Sequence, residues 1–175
     1  MAVIGVAIAV PEPYGTQLRE QRESFGDRQA QSFPTHITLV PPTRVADGDG
    51  DLVFVEDHLT AVADRHQAFS VRLRGTGTFR PVSPVVFVAV AAGISECELL
   101  ASDIRTGPLA LRLPFPYHPH VTVAHDVDER GLDRAFDTLA TYECEFGVED
   151  FGLYVHDGEQ GWGRRRGFAL GAVRT

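Results

Sequence analysis

The order strand, helix, strand, helix, strand occurs twice in this chain, and that repetition constrains the fold more than any other feature. In the first half an apolar strand is expected over residues 3–10, then a helix over 12–26, a strand over 35–40, a helix over 52–67 and a strand over 69–79. In the second half the same order is expected over 85–91, 95–105, 119–124, 129–140 and 144–154. A hairpin turn at 157–161 leads to a last strand over 166–173. This pattern predicts a duplicated α+β fold. The expected organisation is one domain over residues 1–175, made of two pseudo-symmetric lobes of about 1–80 and 81–175, with exchange of strands between lobes left open.

Ile4, Val6, Ile8 and Val10 share one parity of the first strand, and Gly5, Ala7 and Ala9 share the other. Successive side chains point to opposite faces, so one face packs helices and the other leaves room beside it. Val86, Val88 and Val90 repeat this opposite Phe87, Ala89 and Ala91. Leu52, Val55, Leu59 and Val62 have helical spacing, as do Leu132, Ala135, Phe136 and Leu139. Ser95 with Glu98 predicts a capping box. Pro13 suits a first helical turn. Pro41 and Pro42 are expected to stop the strand before them. The Asp- and Gly-rich run 46–51 reads as a solvated turn, because it lacks the spaced ligands and closing glutamate of a calcium loop.

A chain of 175 residues can bury a core without covalent staples. Its 43% hydrophobic and 23% charged residues exclude a disordered or collagen-like chain. Cys97 and Cys144 have no paired spacing and are expected as small core residues in a reducing compartment. No apolar run approaches the roughly 20 residues of a membrane helix. The apolar start lacks a basic region and a cleavage site, so a cytoplasmic protein without a membrane partner is expected. The net charge of −8 disfavours wrapping a long nucleic acid, but leaves room for a small nucleotide or an RNA end in a local positive pocket. All 16 basic residues are arginine, which reads as codon bias and not as selection for phosphate.

Two short segments carry the chemistry. His36-Ile37-Thr38-Leu39 and His120-Val121-Thr122-Val123 both read His, apolar, Thr, apolar, 84 residues apart. On a strand, residues two apart face the same way, about 6.5 Å from each other. His36 and Thr38 therefore share one face, and His120 and Thr122 share the matching face in the second half. The plainer alternative is two strand histidines bonded to neighbouring hydroxyls; recurrence at matching repeat positions disfavours it. An approximate two-fold axis would set the two His/Thr pairs on opposite walls of one cleft. Histidine titrates near neutrality, so one imidazole can act as base while the other acts as acid. The hydroxyls can hold phosphate oxygens in line between them. This suits phosphodiester cleavage without a metal.

The doubled His-x-Thr motif, its spacing and the repeated arrangement resemble the two-histidine (2H) phosphoesterase superfamily. Tyr117-His118-Pro119-His120-Val121-Thr122-Val123-Ala124 resembles the second motif of its 2′-5′ RNA ligase-like branch. The resemblance implies antiparallel sheets lining a central cleft, with helices outside. It implies hydrolysis of 2′,3′-cyclic phosphates, or making and breaking of 2′-5′ phosphodiester bonds, with no metal and no cofactor. The substrate would be a small nucleotide or an RNA end, and the protein is expected as a monomer. By position, His36, Thr38, His120 and Thr122 take the catalytic roles. Several relatives have an arginine three residues after the second threonine; here that position is His125, which marks a different substrate contact.

Tyr117 is a candidate substrate-binding residue that would stack on a base, against the plainer reading of a rim aromatic. Trp162-Gly163-Arg164-Arg165-Arg166, placed between the late turn and the last strand, can reach a phosphate. An acid-paired, solvated cluster is the preferred reading. Zinc on His118, His120 and His125 is disfavoured, because Pro119 disturbs the strand and His125 has the opposite parity to His120. His58 and His66 are expected on a helix as surface or boundary residues, and His156, near a turn, has no assigned partner. A binding module that kept the cleft and lost turnover is the competing functional class.

Overall fold

The computed structural model describes residues 1–46 and 48–171. The strands and helices run β1 (Ala2–Ala9), α1 (Tyr14–Ser24), β2 (His36–Val45), α2 (Asp49–Arg65), β3 (Phe69–Thr78) and β4 (Val85–Ala92) in the first stretch. They continue with α3 (Ile94–Ile104), β5 (His120–His125), α4 (Glu129–Thr138), β6 (Glu143–Val148), β7 (Asp150–Asp157) and β8 (Gly161–Ala169). Two antiparallel four-stranded sheets result, in the orders β2-β1-β7-β8 and β5-β4-β3-β6. The duplication shows in the pairing of β1 with β2 and of β4 with β5. The next strand of each sheet comes from the other half of the chain: β3 pairs with β4, and β7 pairs with β1.

This exchange divides the strand expected over 144–154. β6 lies beside β3 in one sheet and β7 beside β1 in the other, with Glu149 between them. Cys144, Phe146 and Val148 are buried, and then Phe151 and Leu153, so the buried parity changes at the crossing. One straight strand cannot send both sets to a core.

The bulky faces pack as expected: Ile4, Val6, Ile8, Val86 and Val88 are buried under helices whose Leu52, Val55, Leu59, Val62, Leu132, Ala135 and Leu139 are buried too. Phe136 departs from its predicted core position and is 37% exposed. Pro41 and Pro42 do not stop β2. The register jumps from Ile4 opposite Thr43 to Val6 opposite Val40, so the prolines sit in a bulge on an edge strand. No ladder hydrogen bond there needs their missing N–H. Pro13 immediately precedes α1. The predicted 46–51 turn is shorter than expected because α2 begins at Asp49, and its Asp47 lies outside the described residues. The last strand starts at Gly161 and not at 166, so the Trp162–Arg166 run is part of β8; residues 172 and 173 lie outside the described residues.

The capping box at Ser95 and Glu98 does not form. α3 starts one residue earlier, after Gly93 at φ 90°, and no side chain caps it. A Cβ at Gly93 would lie 2.6 Å from the Ser70 carbonyl oxygen. Left-handed backbone and a clash with backbone oppose any side chain there. Gly93→Ala is expected to destabilise the protein by about 1–3 kcal/mol in urea unfolding, and an unchanged midpoint would refute this account. Among the described residues no helix is long and apolar enough to cross a membrane.

Candidate active site

β2 and β5, the strands that carry the two motifs, are edge strands of their sheets and lie against each other. The Tyr117 hydroxyl, just before β5, donates to the Thr38 carbonyl of β2 at 2.7 Å and ties them together. His36 stands opposite Ala9, Thr38 opposite Ala7, and His120 opposite Ala89. Directly opposed residues share a face. Ala7 and Ala9 of β1 and Ala89 of β4 therefore leave the room into which the imidazoles project.

Both strands bulge after the threonine. Thr38 pairs with Ala7 and then Val40 with Val6; Thr122 pairs with Phe87 and then Ala124 with Val86. Leu39 and Val40, like Val123 and Ala124, are consequently buried in succession. The extra residue restores His125, opposite Val85, to the face of His120 and Thr122. The opposite parity expected for His125 is corrected by this bulge.

The two histidines are held alike. His36 Nδ1 is 2.7 Å from the Pro34 carbonyl oxygen, and His120 Nδ1 is 2.7 Å from that of His118. A carbonyl only accepts, so each ring carries its proton on Nδ1 and leaves Nε2 as the lone-pair nitrogen. Burial lowers the pKa of His36 to about 4, with Arg22 and His120 adding to the fall and the Pro34 carbonyl opposing it. Burial also lowers His120, with His118 adding to it. Neither threonine hydroxyl is bonded to a protein group among the described residues.

Aromatic rings flank the pair. Phe79 and Phe87 lie 5.0 and 5.2 Å from the His120 ring, and His118 lies 5.8 Å from it. Phe87 rests on Gly77, where a Cβ would come within 2.5 Å of the ring. On the other side the Phe33 ring is 4.3 Å from His36. A cavity of about 470 Å³ opens beside Thr38 and His120, walled mainly by Phe79, Val82, Leu113, Phe115 and Tyr117. Tyr117 thus lines this cavity. Its ring is half-buried, and burial raises its pKa.

The remaining candidates are accounted for by structure. Arg164 pairs with Asp150, and Arg165 and Arg166 pair with Glu56, which is the acid-paired arrangement. His58 and His66 join α2 to α3 through the Ile104 carbonyl and Asp103, both at 2.9 Å. His156 finds a partner in Trp162, at 5.2 Å between rings. Among the described residues no group of three or more His, Cys, Asp or Glu is placed to hold a metal, and His125 turns to Asp126 at 3.4 Å. Cys97 and Cys144 are buried, and burial pushes the Cys97 thiol up to about 12.

Sequence reasoning missed Phe33, Phe79 and Asp27. Asp27 is 4% exposed and accepts from Arg22 Nε at 2.6 Å, Gln29 N at 2.8 Å and His125 N at 3.0 Å. It fastens the loop after α1 to the end of β5. Arg22 and Gln29 are its sequence neighbours, but the His125 N–H that ties it to β5 lies 98 residues away, and no pattern around Asp27 marks that contact. Phe33 had a faint signal, three residues before His36 and facing a small-residue strand.

A family model described as the 2′-5′ RNA ligase superfamily matches residues 10–160. Two Bacillus proteins named phosphoesterases, from Bacillus mycoides and Bacillus cytotoxicus, are each 25% identical over 96 residues. Those alignments cover 55% of this chain and 54% of each relative, so the match spans about half the length of these relatives. Escherichia coli LigT in complex with 3′-AMP superposes with a TM-score of 0.65 at 21% identity, over 97% of this chain and 98% of LigT. TT0787 of Thermus thermophilus superposes with a TM-score of 0.66 at 22% identity, over 98% and 100%. At such identities the likeness is one of fold.

Proposed function

The chain belongs to the 2′-5′ RNA ligase superfamily, and from that premise we propose that it is a metal-independent phosphodiesterase acting on 2′,3′-cyclic phosphate ends or 2′-5′ diester bonds of RNA or small nucleotides. The observation that carries this reading is the matched pair of imidazoles, each donating Nδ1–H to a carbonyl two residues upstream and keeping Nε2 free. LigT, a fold neighbour, has been captured with 3′-AMP and with phosphate, which supports a phosphate ester as the occupant.

In this mechanism the phosphate lies between His36 and His120, with the Thr38 and Thr122 hydroxyls on its non-bridging oxygens. His36 is the base, because burial keeps it neutral over the widest range of pH. Its Nε2 takes the proton of the attacking water as oxygen bonds to phosphorus. His120 enters protonated and gives its Nε2 proton to the departing ribose oxygen as the P–O bond breaks. The products are a phosphomonoester and a free ribose hydroxyl, and the two imidazoles have exchanged protonation states.

The pH dependence follows. In the free protein His36 must be neutral, so kcat/KM is expected to fall on the acid side only near pH 4. His120 must be protonated and its pKa is also lowered, so the alkaline fall begins below the ordinary histidine value of about 6.5. The optimum is therefore acidic. An optimum above pH 7 would contradict the assignment.

The direct test offers the four nucleoside 2′,3′-cyclic phosphates and a 2′-5′-linked dinucleotide to the protein with chelator present. Turnover of one or more is expected. Tight binding of a nucleoside 2′-phosphate with no turnover of any diester would replace the enzyme by a nucleotide-binding module.

A further inference from the structure

We propose that the cleft has a second base site on the His36 side, formed by Phe33 and Trp162, so that the preferred substrate carries a nucleoside on each side of the reacting phosphorus. The inference rests on the phosphodiesterase reading and selects, within it, a 2′-5′ internucleotide diester over a mononucleotide cyclic phosphate.

Register puts Trp162 on the cleft face. His36 and Thr38 face with Ala9 and Ala7 of β1, and Tyr154 is opposite Gly5 on that same parity. His156 is opposite Val3, again the same parity, and Trp162 is opposite His156. The Trp162 ring rests on the sheet above Gly5, where a Cβ would meet it at 3.6 Å. Phe33 bridges the space to the catalytic pair: its ring is 4.3 Å from His36, 4.5 Å from Tyr154 and 5.4 Å from Trp162. Phe33 and Trp162 are both partly exposed. Among the described residues the indole N–H makes no hydrogen bond.

The cleft is thus aromatic on both sides. The apolar cavity with Phe79 adjoins His120, and the Phe33–Trp162 platform adjoins His36. Base-on-ring stacking tolerates any base, because every base has a π-face. In a 2′,3′-cyclic mononucleotide both ester oxygens belong to one ribose, so one side of the phosphorus has no nucleoside. A 2′-5′ diester has a nucleoside on each ester oxygen and fills both sides. In its cleavage the 3′-hydroxyl of the first nucleoside attacks phosphorus and gives its proton to one imidazole. The bond to O5′ of the second nucleoside breaks, and O5′ receives a proton from the other imidazole. The products are a 2′,3′-cyclic phosphate and a 5′-hydroxyl.

Trp162 is the only tryptophan in the chain, so its fluorescence reports this subsite directly. Wild-type protein would be titrated with 3′-deoxyadenylyl-(2′→5′)-adenosine, which lacks the attacking hydroxyl, and with adenosine 2′-phosphate, with binding followed separately by calorimetry. Saturable quenching by the dinucleotide and little by the monophosphate is expected. Trp162→Leu should lower kcat/KM for 2′-5′ ApA relative to that for 2′,3′-cyclic AMP by about ten- to a hundredfold, the range of one lost base stack. Equal quenching by both ligands, no quenching or no binding by the dinucleotide, or an equal loss on both substrates would each overturn the subsite. Quenching by the dinucleotide in a protein without turnover would uphold the subsite and overturn the phosphodiesterase reading.

Discussion

His36→Ala and His120→Ala are each expected to lower kcat on a cyclic or 2′-5′ diester by about a hundredfold or more, the ordinary worth of a positioned acid or base. Without His36 nothing takes the proton of the attacking oxygen; without His120 the departing alkoxide leaves unprotonated. The two losses should not add. Once one proton transfer is missing the concerted step is already gone, so the double variant should resemble the single ones. The fold should survive, because both rings are only partly buried and each contributes one hydrogen bond to an upstream carbonyl. The pH profile separates catalysis from disruption. His36→Ala should abolish the acid limb near pH 4 in whatever rate remains, because that limb is its titration. A variant with near-normal kcat would remove its histidine from the mechanism.

Asp27→Ala is expected to be the most damaging change to stability, at about 3–5 kcal/mol. The Asp27 side chain is wholly shielded and that of Arg22 is 14% exposed, with Nε and Oδ2 at 2.6 Å. Truncation leaves the guanidinium without its counter-charge and strips an acceptor from two backbone N–H groups, of Gln29 and His125. Unpaired buried donors carry their full desolvation penalty. The contrast is the Arg80–Glu129 pair, whose glutamate is 79% exposed and whose loss should cost no more than about 1 kcal/mol. Urea unfolding of both variants tests the comparison. A loss at Asp27 no larger than at Glu129 would mean that water screens the Asp27 pair.

Legibility followed the range of the interactions. The α+β duplication was readable because alternation of apolar residues along 3–10 and 85–91, and helical spacing along 52–62, are properties of short windows. The His/Thr pairs were readable because two residues apart on a strand means one face, and both motifs lie on strands. The capping box failed because Gly93, free to adopt φ 90°, took the N-cap position two residues before Ser95. The stop at Pro41 and Pro42 failed because proline is tolerated on an edge, and sequence does not say which strand is an edge.

What the sequence determined by itself was therefore the elements apart from the division of β6 from β7, their double order, and the four polar side chains His36, Thr38, His120 and Thr122 that two of the strands turn to one side. Each of these depends on neighbours a few positions away. Tertiary structure alone decided that β3 and β7 cross between halves, that the parity breaks at Glu149, and that a bulge in β5 returns His125 to the face of His120. It also brought Phe33 and Trp162 together beside His36 and joined Asp27 to the His125 N–H of β5. These contacts join residues far apart in the chain. They exist only once each edge has found its partner strand and the two sheets have closed around one cleft.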